Sequence, residues 1–282
     1  MATILASPRP TASQHSIRYL PREHGATAML ITPIVCAAIL ARHWNWTELA
    51  TLAAGFAALA AKDPLVVLVR QRFLWKQQHA ETAAALRWFA GWAALLAAGG
   101  IALLVTWPIA PLVGMGLGVG CFTALAIWVN FKNRQRSTLF QIVSAAALTS
   151  TSLAACQSAL GFIAPWCWWL WVLLAMQAAT GILVVHARLD GRIAARKGQP
   201  APLQFRRAAQ AAIVVLVCTA VAAAILKHGL IALALLVAAA GYLYDLTAQR
   251  SAESLQMPLM VVGRRALALS SVYAALLIAG LW

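Results

Sequence analysis

Charged residues that could do chemistry fall into a few short groups, each where an apolar run meets a polar one. Pro21-Arg22-Glu23-His24-Gly25-Ala26 is the first. Arg22 offers a planar fork that fits phosphate or carboxylate, His24 can exchange a proton near neutrality, and Glu23 can orient either one. The same residues also make an ordinary helix start, because proline suits the first turn and an acid complements the helix dipole. Lys62-Asp63-Pro64, with Arg70 and Arg72, is the second. Proline after Asp63 disfavours helical backbone at Asp63, so a break or bend is expected there. Broken membrane helices line cavities where freed backbone groups meet water or ligand. A snorkelling Lys62 balanced by Asp63 is the equal alternative. The third group is His186-Ala-Arg188-Leu-Asp190-Gly-Arg192-Ile-Ala-Ala-Arg196. If a helix continues past His186, then Arg188, Arg192 and Arg196 share one face. A row of guanidiniums suits a diphosphate or an anionic head group; a basic helix end lying on anionic lipid explains it equally.

What must hold these residues is a membrane. The chain has 282 residues, 62% hydrophobic and only 10% charged, with a mean hydropathy of +0.78. A soluble domain carries roughly 25% charged residues, so a water-facing globule is excluded. Nine apolar runs are long enough, or nearly so, for spans: 25–41, 46–61, 88–107, 110–129, 139–163, 166–185, 208–226, 229–244 and 266–282. The second and eighth are short against the ~20 residues a span needs, so each is expected to continue, the second into Leu65 to Val69. Lipid offers backbone groups no partner, so the runs are helices. They lack the alternation of a membrane barrel.

The net charge of +15 raises nucleic acid as a partner, but the positions of the cations argue otherwise. With a cytoplasmic N-terminus, all cations except Arg42 and Lys227 lie in the tail or after runs two, four, six and eight. That is the positive-inside pattern, N-terminus in and C-terminus out. Residues 62–87 and 186–207 form the long inside connections, so polar chemistry is expected at the cytoplasmic mouth. Lys62-Asp63 and Arg188-Leu-Asp190 close runs two and six at matching positions. Tyr242, Tyr244 and Asp245 would join the same mouth.

Other features read as structural. The five cysteines have no metal or disulfide spacing and fit as small buried hydrophobes. Gly114, Gly116, Gly118 and Gly120 are expected to let a neighbouring helix approach. Thr149-Ser-Thr-Ser152, Gln157 and Gln177 are expected to hydrogen-bond between helices. Residues 1–24 lack the apolar core of a cleaved signal. No nucleotide-binding loop, zinc-helix or serine-elbow motif occurs, and carboxylates are too sparse for a metal centre.

The run PREHGA, Lys62-Asp-Pro64 with Arg70, and His186-Ala-Arg-Leu189 together resemble the YwiC-like integral membrane proteins, from residue 17 onward. That resemblance implies a membrane location and leaves the reaction unassigned. In layout the chain is more distantly similar to the UbiA-type prenyltransferases, whose Asp-rich motifs follow helices two and six at a cytoplasmic-side cavity. Here cations stand where paired carboxylates would be, so the resemblance implies arginine contacts to an anion in place of metal-dependent diphosphate activation.

The expectation is therefore an all-α polytopic bundle of about nine helices in UbiA-like arrangement. One domain, residues 17–282, follows a disordered tail, 1–16, in a bacterial inner membrane. Arg22, Glu23, His24, Lys62, Asp63, Arg70, Arg188, Asp190 and Arg192 would bind an amphipathic anion, an isoprenyl diphosphate or lipid, with no metal and no cofactor. Membrane lipids are the expected partners; nucleic acid is not. Transfer of a prenyl or lipid group stays open, as do a small transporter or exporter and a non-catalytic subunit or assembly factor of a membrane complex.

Overall fold

Each long apolar run becomes a helix. The computed structural model describes residues 24–77, 81–132, 134 and 137–282, and side chains at all of these except 24, 252 and 259. Arg22 and Glu23, the side chain of His24, and the expected tail lie outside the described residues. The helices are α1 (His24–Ala41), α2 (Trp46–Arg70), α3 (Thr82–Leu104), α4 (Ile109–Phe131), α5 (Thr138–Thr149) and α6 (Thr151–Leu160). They continue as α7 (Pro165–Lys197), α8 (Gln204–Ile225), α9 (Gly229–Ala248), α10 (Ala252–Gln256) and α11 (Leu259–Leu281). Among the described residues, eight helical segments are long and apolar enough to cross a membrane, with α5 and α6 counted together; Gly25–Ala41 is a shorter apolar helix. The chain is a multi-pass helical bundle.

Two of the expected inside loops are largely helix. α2 runs through Lys62, Asp63 and Pro64 to Arg70, and a π-helical turn, Gln71–Trp75, continues it. The break expected at Asp63 is absent. Helical backbone before proline is disfavoured but accessible, and Pro64 is fully buried, so packing holds the helix together. α7 likewise runs on for 33 residues to Lys197. At 1.5 Å per residue it is about 50 Å long, well beyond a hydrocarbon core of about 30 Å. The connection to α8 shrinks to residues 198–203.

Hydrogen bonds fix which helix ends share a side. Asn45 and Trp107 both reach Ser158, and the Arg42 guanidinium lies 4.1 Å from the Trp282 ring centre. At the other end Arg70 reaches Asn130, while His186 meets Gln141 and Phe205. The second end carries nearly all the described cations, so it is called the basic end. The core joins α1, α7, α8, α9 and α11 through Leu30, Ile34, Leu170, Leu216, Leu235 and Leu277. α2 and α3 pack tightly against each other, and α4 lies at the margin, mostly exposed.

Lipid tails are as apolar as leucine, so close approach at small residues holds such helices together. A Cβ on Gly99 would stand 2.9 Å from the Ala54 Cβ, between α3 and α2; one on Gly241 would stand 2.7 Å from Leu269. Gly114, Gly116, Gly118 and Gly120 have nothing within 4 Å of such a Cβ. Packing expected at the α4 glycines occurs instead at isolated ones. Residues two apart point to nearly opposite sides of a helix, so the α4 glycines form two faces and neither meets a neighbour.

Irregular backbone is grouped as well. α5 and α6 meet at Ser150, where the helix is interrupted, and α6 packs on α1. There the Thr151 hydroxyl donates to the Leu30 carbonyl, 3.0 Å away, in the turn disturbed by Pro33. The contact joins α6 to α1 one turn before Pro33, while the same hydroxyl also reaches the Leu148 carbonyl at 2.8 Å. Gly99→Ala is expected to lower the thermal unfolding midpoint through overpacking of about 1–3 kcal/mol, while Gly116→Ala leaves it no lower. Unfolding of the two purified variants, side by side, checks this.

Candidate functional site

At the foot of α2, Lys62 and Asp63 form an ion pair, Nζ to Oδ1 3.8 Å, with both side chains partly exposed. Two turns on, the Arg70 guanidinium donates to the Asn130 carbonyl near the end of α4, 3.3 Å away. Next begins the π-helical turn, anchored by buried Gln71, which accepts a hydrogen bond from Thr82 of α3 at 2.6 Å. Past that anchor the chain is two-natured. Phe73, Leu74 and Trp75 are at least half exposed, and exposed Arg72 and Lys76 flank them. Arg87, Lys132 and Arg134, on the neighbouring ends of α3 and α4, are exposed too.

α7 treats its arginines differently. The helix continues past His186 as the four-residue spacing anticipates, but it buries Arg188 to 2% exposure and leaves Arg196 in the open. Arg188 Nη1 donates to the Ser254 carbonyl at 2.6 Å. Arg192 donates through Nε to Leu255 and through Nη2 to the Met257 carbonyl. Ser254 and Leu255 lie at the C-terminal end of the short helix α10 and Met257 just past it; the Ser254 carbonyl also accepts the Met257 amide at 3.4 Å. Cations near a helix C-terminus also complement its dipole. Gly191 allows the approach, since a Cβ there would stand 3.1 Å from Leu255. Asp245 of α9 and Arg265 of α11 lie within electrostatic range of Arg188. Asp190 is half-buried on α7, within electrostatic range of His186. His186 Nε2 is 2.8 Å from Gln141 Oε1.

The expected site residues thus fall into two described groups. Lys62, Asp63 and Arg70 stand at the α2–α4 corner. Arg188 and Arg192, with Asp190 on the same helix, gather at α7 and α10. Tyr242 points away from both: its hydroxyl is bonded to Gln177, which also donates to Ser270. Gln177 therefore does join helices. The hydroxyls around the α5–α6 interruption mostly do not, because Thr149, Ser150 and Ser152 donate to carbonyls of their own segment. Gln157 likewise closes its own helix end on Gly161.

The opposite end holds a polar cluster that sequence reading overlooked. Asn45 caps α2, taking the Thr47 and Glu48 amides on its side chain, while Glu48 Oε2 accepts the Asn45 amide at 3.0 Å. Ser158 links the cap to α6: its carbonyl accepts from Asn45 and Thr47, and its hydroxyl meets Thr51 at 2.6 Å and the Trp107 indole at 3.2 Å. Glu48 is 1% exposed, and its Oε1 has no hydrogen-bond partner among the described residues. The signal was present: Asn45-Trp-Thr-Glu48 has capping-box spacing. Ser158→Ala strands the Trp107 indole, while the Thr51 hydroxyl keeps its donation to the Thr47 carbonyl at 2.8 Å. It is expected to cost about 1–3 kcal/mol, measured as a lowered unfolding midpoint beside an unaltered Ser271→Ala control.

No curated protein and no solved structure matches the chain. Residues 20–156 match the family model described as YwiC-like protein. The matched stretch holds PREHG, α1 to α5, most of α6 and the Lys62–Asp63–Arg70 corner, and it stops before α7. Residues 20–156, just under half of the 282-residue chain, are similar to the YwiC-like family.

Proposed function

We propose that this multi-pass membrane protein binds an amphipathic anion at its basic end, and that the α2–α4 corner takes the ligand. One observation carries the reading. Phe73, Leu74 and Trp75 stay exposed between Arg72 and Lys76, one turn beyond Arg70 and next to the exposed cations of α3 and α4. Apolar and cationic groups presented together match a molecule with an apolar tail and an anionic head. Guanidinium forks suit the head, and a lipid tail could lie along the apolar side chains. Lys62, Asp63 and Arg70 border this surface, so Lys62 and Arg70 are assigned as head-group contacts and Asp63 as the group that orients Lys62.

Arg188 and Arg192 are then positioning residues. Their donors are directed at the carbonyls of α10, so they shape the basic end more than they contact a ligand. Arg22, Glu23 and His24 complete the proposal as ligand-binding residues carried by the PREHG motif. Prenyl-group transfer, in the manner of the UbiA-type enzymes, is the finer form of this proposal. It would require arginines to take over the stabilisation of a leaving diphosphate.

The test is binding of farnesyl diphosphate, and separately of phosphatidylglycerol in nanodiscs, to the purified protein. The paired substitution Lys62→Ala with Arg70→Ala is expected to weaken binding at least about tenfold, the scale of one to two charge-assisted contacts. Arg196→Ala leaves it unchanged. Arg188→Ala instead lowers the unfolding midpoint, because it removes the buried guanidinium that ties α7 to α10. Equal binding by wild type and the Lys62/Arg70 variant would overturn the assignment. Release of diphosphate from farnesyl diphosphate, lost in that variant, would support the finer form.

A further inference from the structure

Cys156 and Cys167 are both wholly buried and share a small cluster with Leu153 and Ala164, between the end of α6 and the first turn of α7. Their surroundings orient both sulfurs. The Ala164 amide donates to Cys156 Sγ at 3.4 Å, and the Cys167 thiol is directed at the Ser152 carbonyl, 3.9 Å away. Ser152 lies one helical turn before Cys156, so the second thiol lands on the face of α6 that carries the first. Both are free thiols within that one buried cluster, and the Cys156 thiol is also directed at the Phe162 carbonyl, 3.6 Å away. Between them the chain turns through Gly161, in left-handed backbone at φ 77°, and enters α7 at Pro165. The other cysteines are scattered: Cys36 is buried in α1, and Cys121 and Cys218 are exposed on α4 and α8.

Location adds a second argument. The α6–α7 turn lies at the end opposite the cations, beside Trp107 and Asn45. A positive-inside distribution puts the basic end in the cytoplasm. The turn then faces the other compartment, where disulfides form and persist.

We propose that Cys156 and Cys167 are joined by a disulfide that staples α6 to α7. The oxidant is a protein thiol–disulfide oxidase of that compartment. One cysteine, as thiolate, attacks the oxidase disulfide and displaces one of its sulfurs; the other then attacks the mixed disulfide and closes the Cys156–Cys167 bond. Both cysteines lose a proton, two electrons pass to the oxidase, and it leaves as a dithiol. Oxidation precedes the final packing of α7, while the sulfurs can still be reached. Burial afterwards shields the bond from reductants.

Counting free thiols tests this. Protein purified from native membranes without reductant is denatured and alkylated with N-ethylmaleimide, then weighed by mass spectrometry. Of the five cysteines, three are expected to be labelled before reduction, Cys36, Cys121 and Cys218, and all five after it. Cys156→Ala should carry four labels in both states, since its partner is released. Five labels on the unreduced wild type would overturn the proposal, as would a protected pair mapping to any other two cysteines.

Discussion

Hydrocarbon offers a polar group no partner, and much of this structure follows from that. Each backbone group inside the bilayer must be satisfied within the chain, so helices run as far as they can, through Pro33, through Asp63-Pro64 and out past Arg192. Where regularity fails, a side chain stands in. Thr151 supplies a donor beside Pro33, Asn45 and Glu48 close the start of α2, and Arg188 and Arg192 close the end of α10. The irregular places are therefore joints between helices as well as local repairs. Thr151 ties α6 to α1, Ser158 ties α6 to the α2 cap, and the arginines tie α7 to the segment ahead of α11.

The two ends meet the constraint in different ways. Away from the cations, neutral groups close upon one another around Ser158, and a carboxyl is enclosed with them. Such a cluster is rigid, because each hydroxyl or amide removed leaves another stranded. At the basic end the partners are charges, and only part of the set is used internally. Arg188 is enclosed by α10 and by the field of Asp245, whereas Arg72, Lys76, Arg134 and Arg196 remain in the open. Long cationic side chains at that depth can reach head groups while their stems lie along apolar surface. Rigidity at one end and exposed charge at the other are what the proposed binding of an anion on one side of the membrane requires.

Run length, charge placement and the helical continuation of α7 were all legible, because each depends on local composition that lipid makes decisive. The likeness to the YwiC-like proteins was legible too, from PREHG, and the family match covers residues 20–156. Partner choice was harder to read. Arg188, Arg192 and Arg196 look alike in sequence, yet only the first two meet α10, a five-residue helix with no periodic signal of its own. Proline at 64 suggested a break because its local preference is real, but packing around a buried ring outweighs it. The glycines of α4 misled in the same way, since composition says a helix can approach but not that one does. Asn45 and Glu48 followed a pattern that could have been read, hidden by attention to cations.

Knowing where the arginines are directed also changes how the charge pattern should be understood. A net charge of +15 invites one explanation for every cation, whereas the structure divides them by partner. Those that meet carbonyls set the shape of the basic end. Around Phe73 to Trp75, Arg72, Lys76, Lys132 and Arg134 are exposed. The exposed apolar residues there sit at a helix end among cations, as Leu203 and Met260 do, but on a π-helical turn instead of regular helix. A turn of that kind shifts the side-chain register after Gln71 relative to the rest of α2, and such bulges recur at functional sites. The buried anchor at Gln71 and Thr82 fixes the shift, so this two-natured surface is built into the fold and is more than the frayed end of a span.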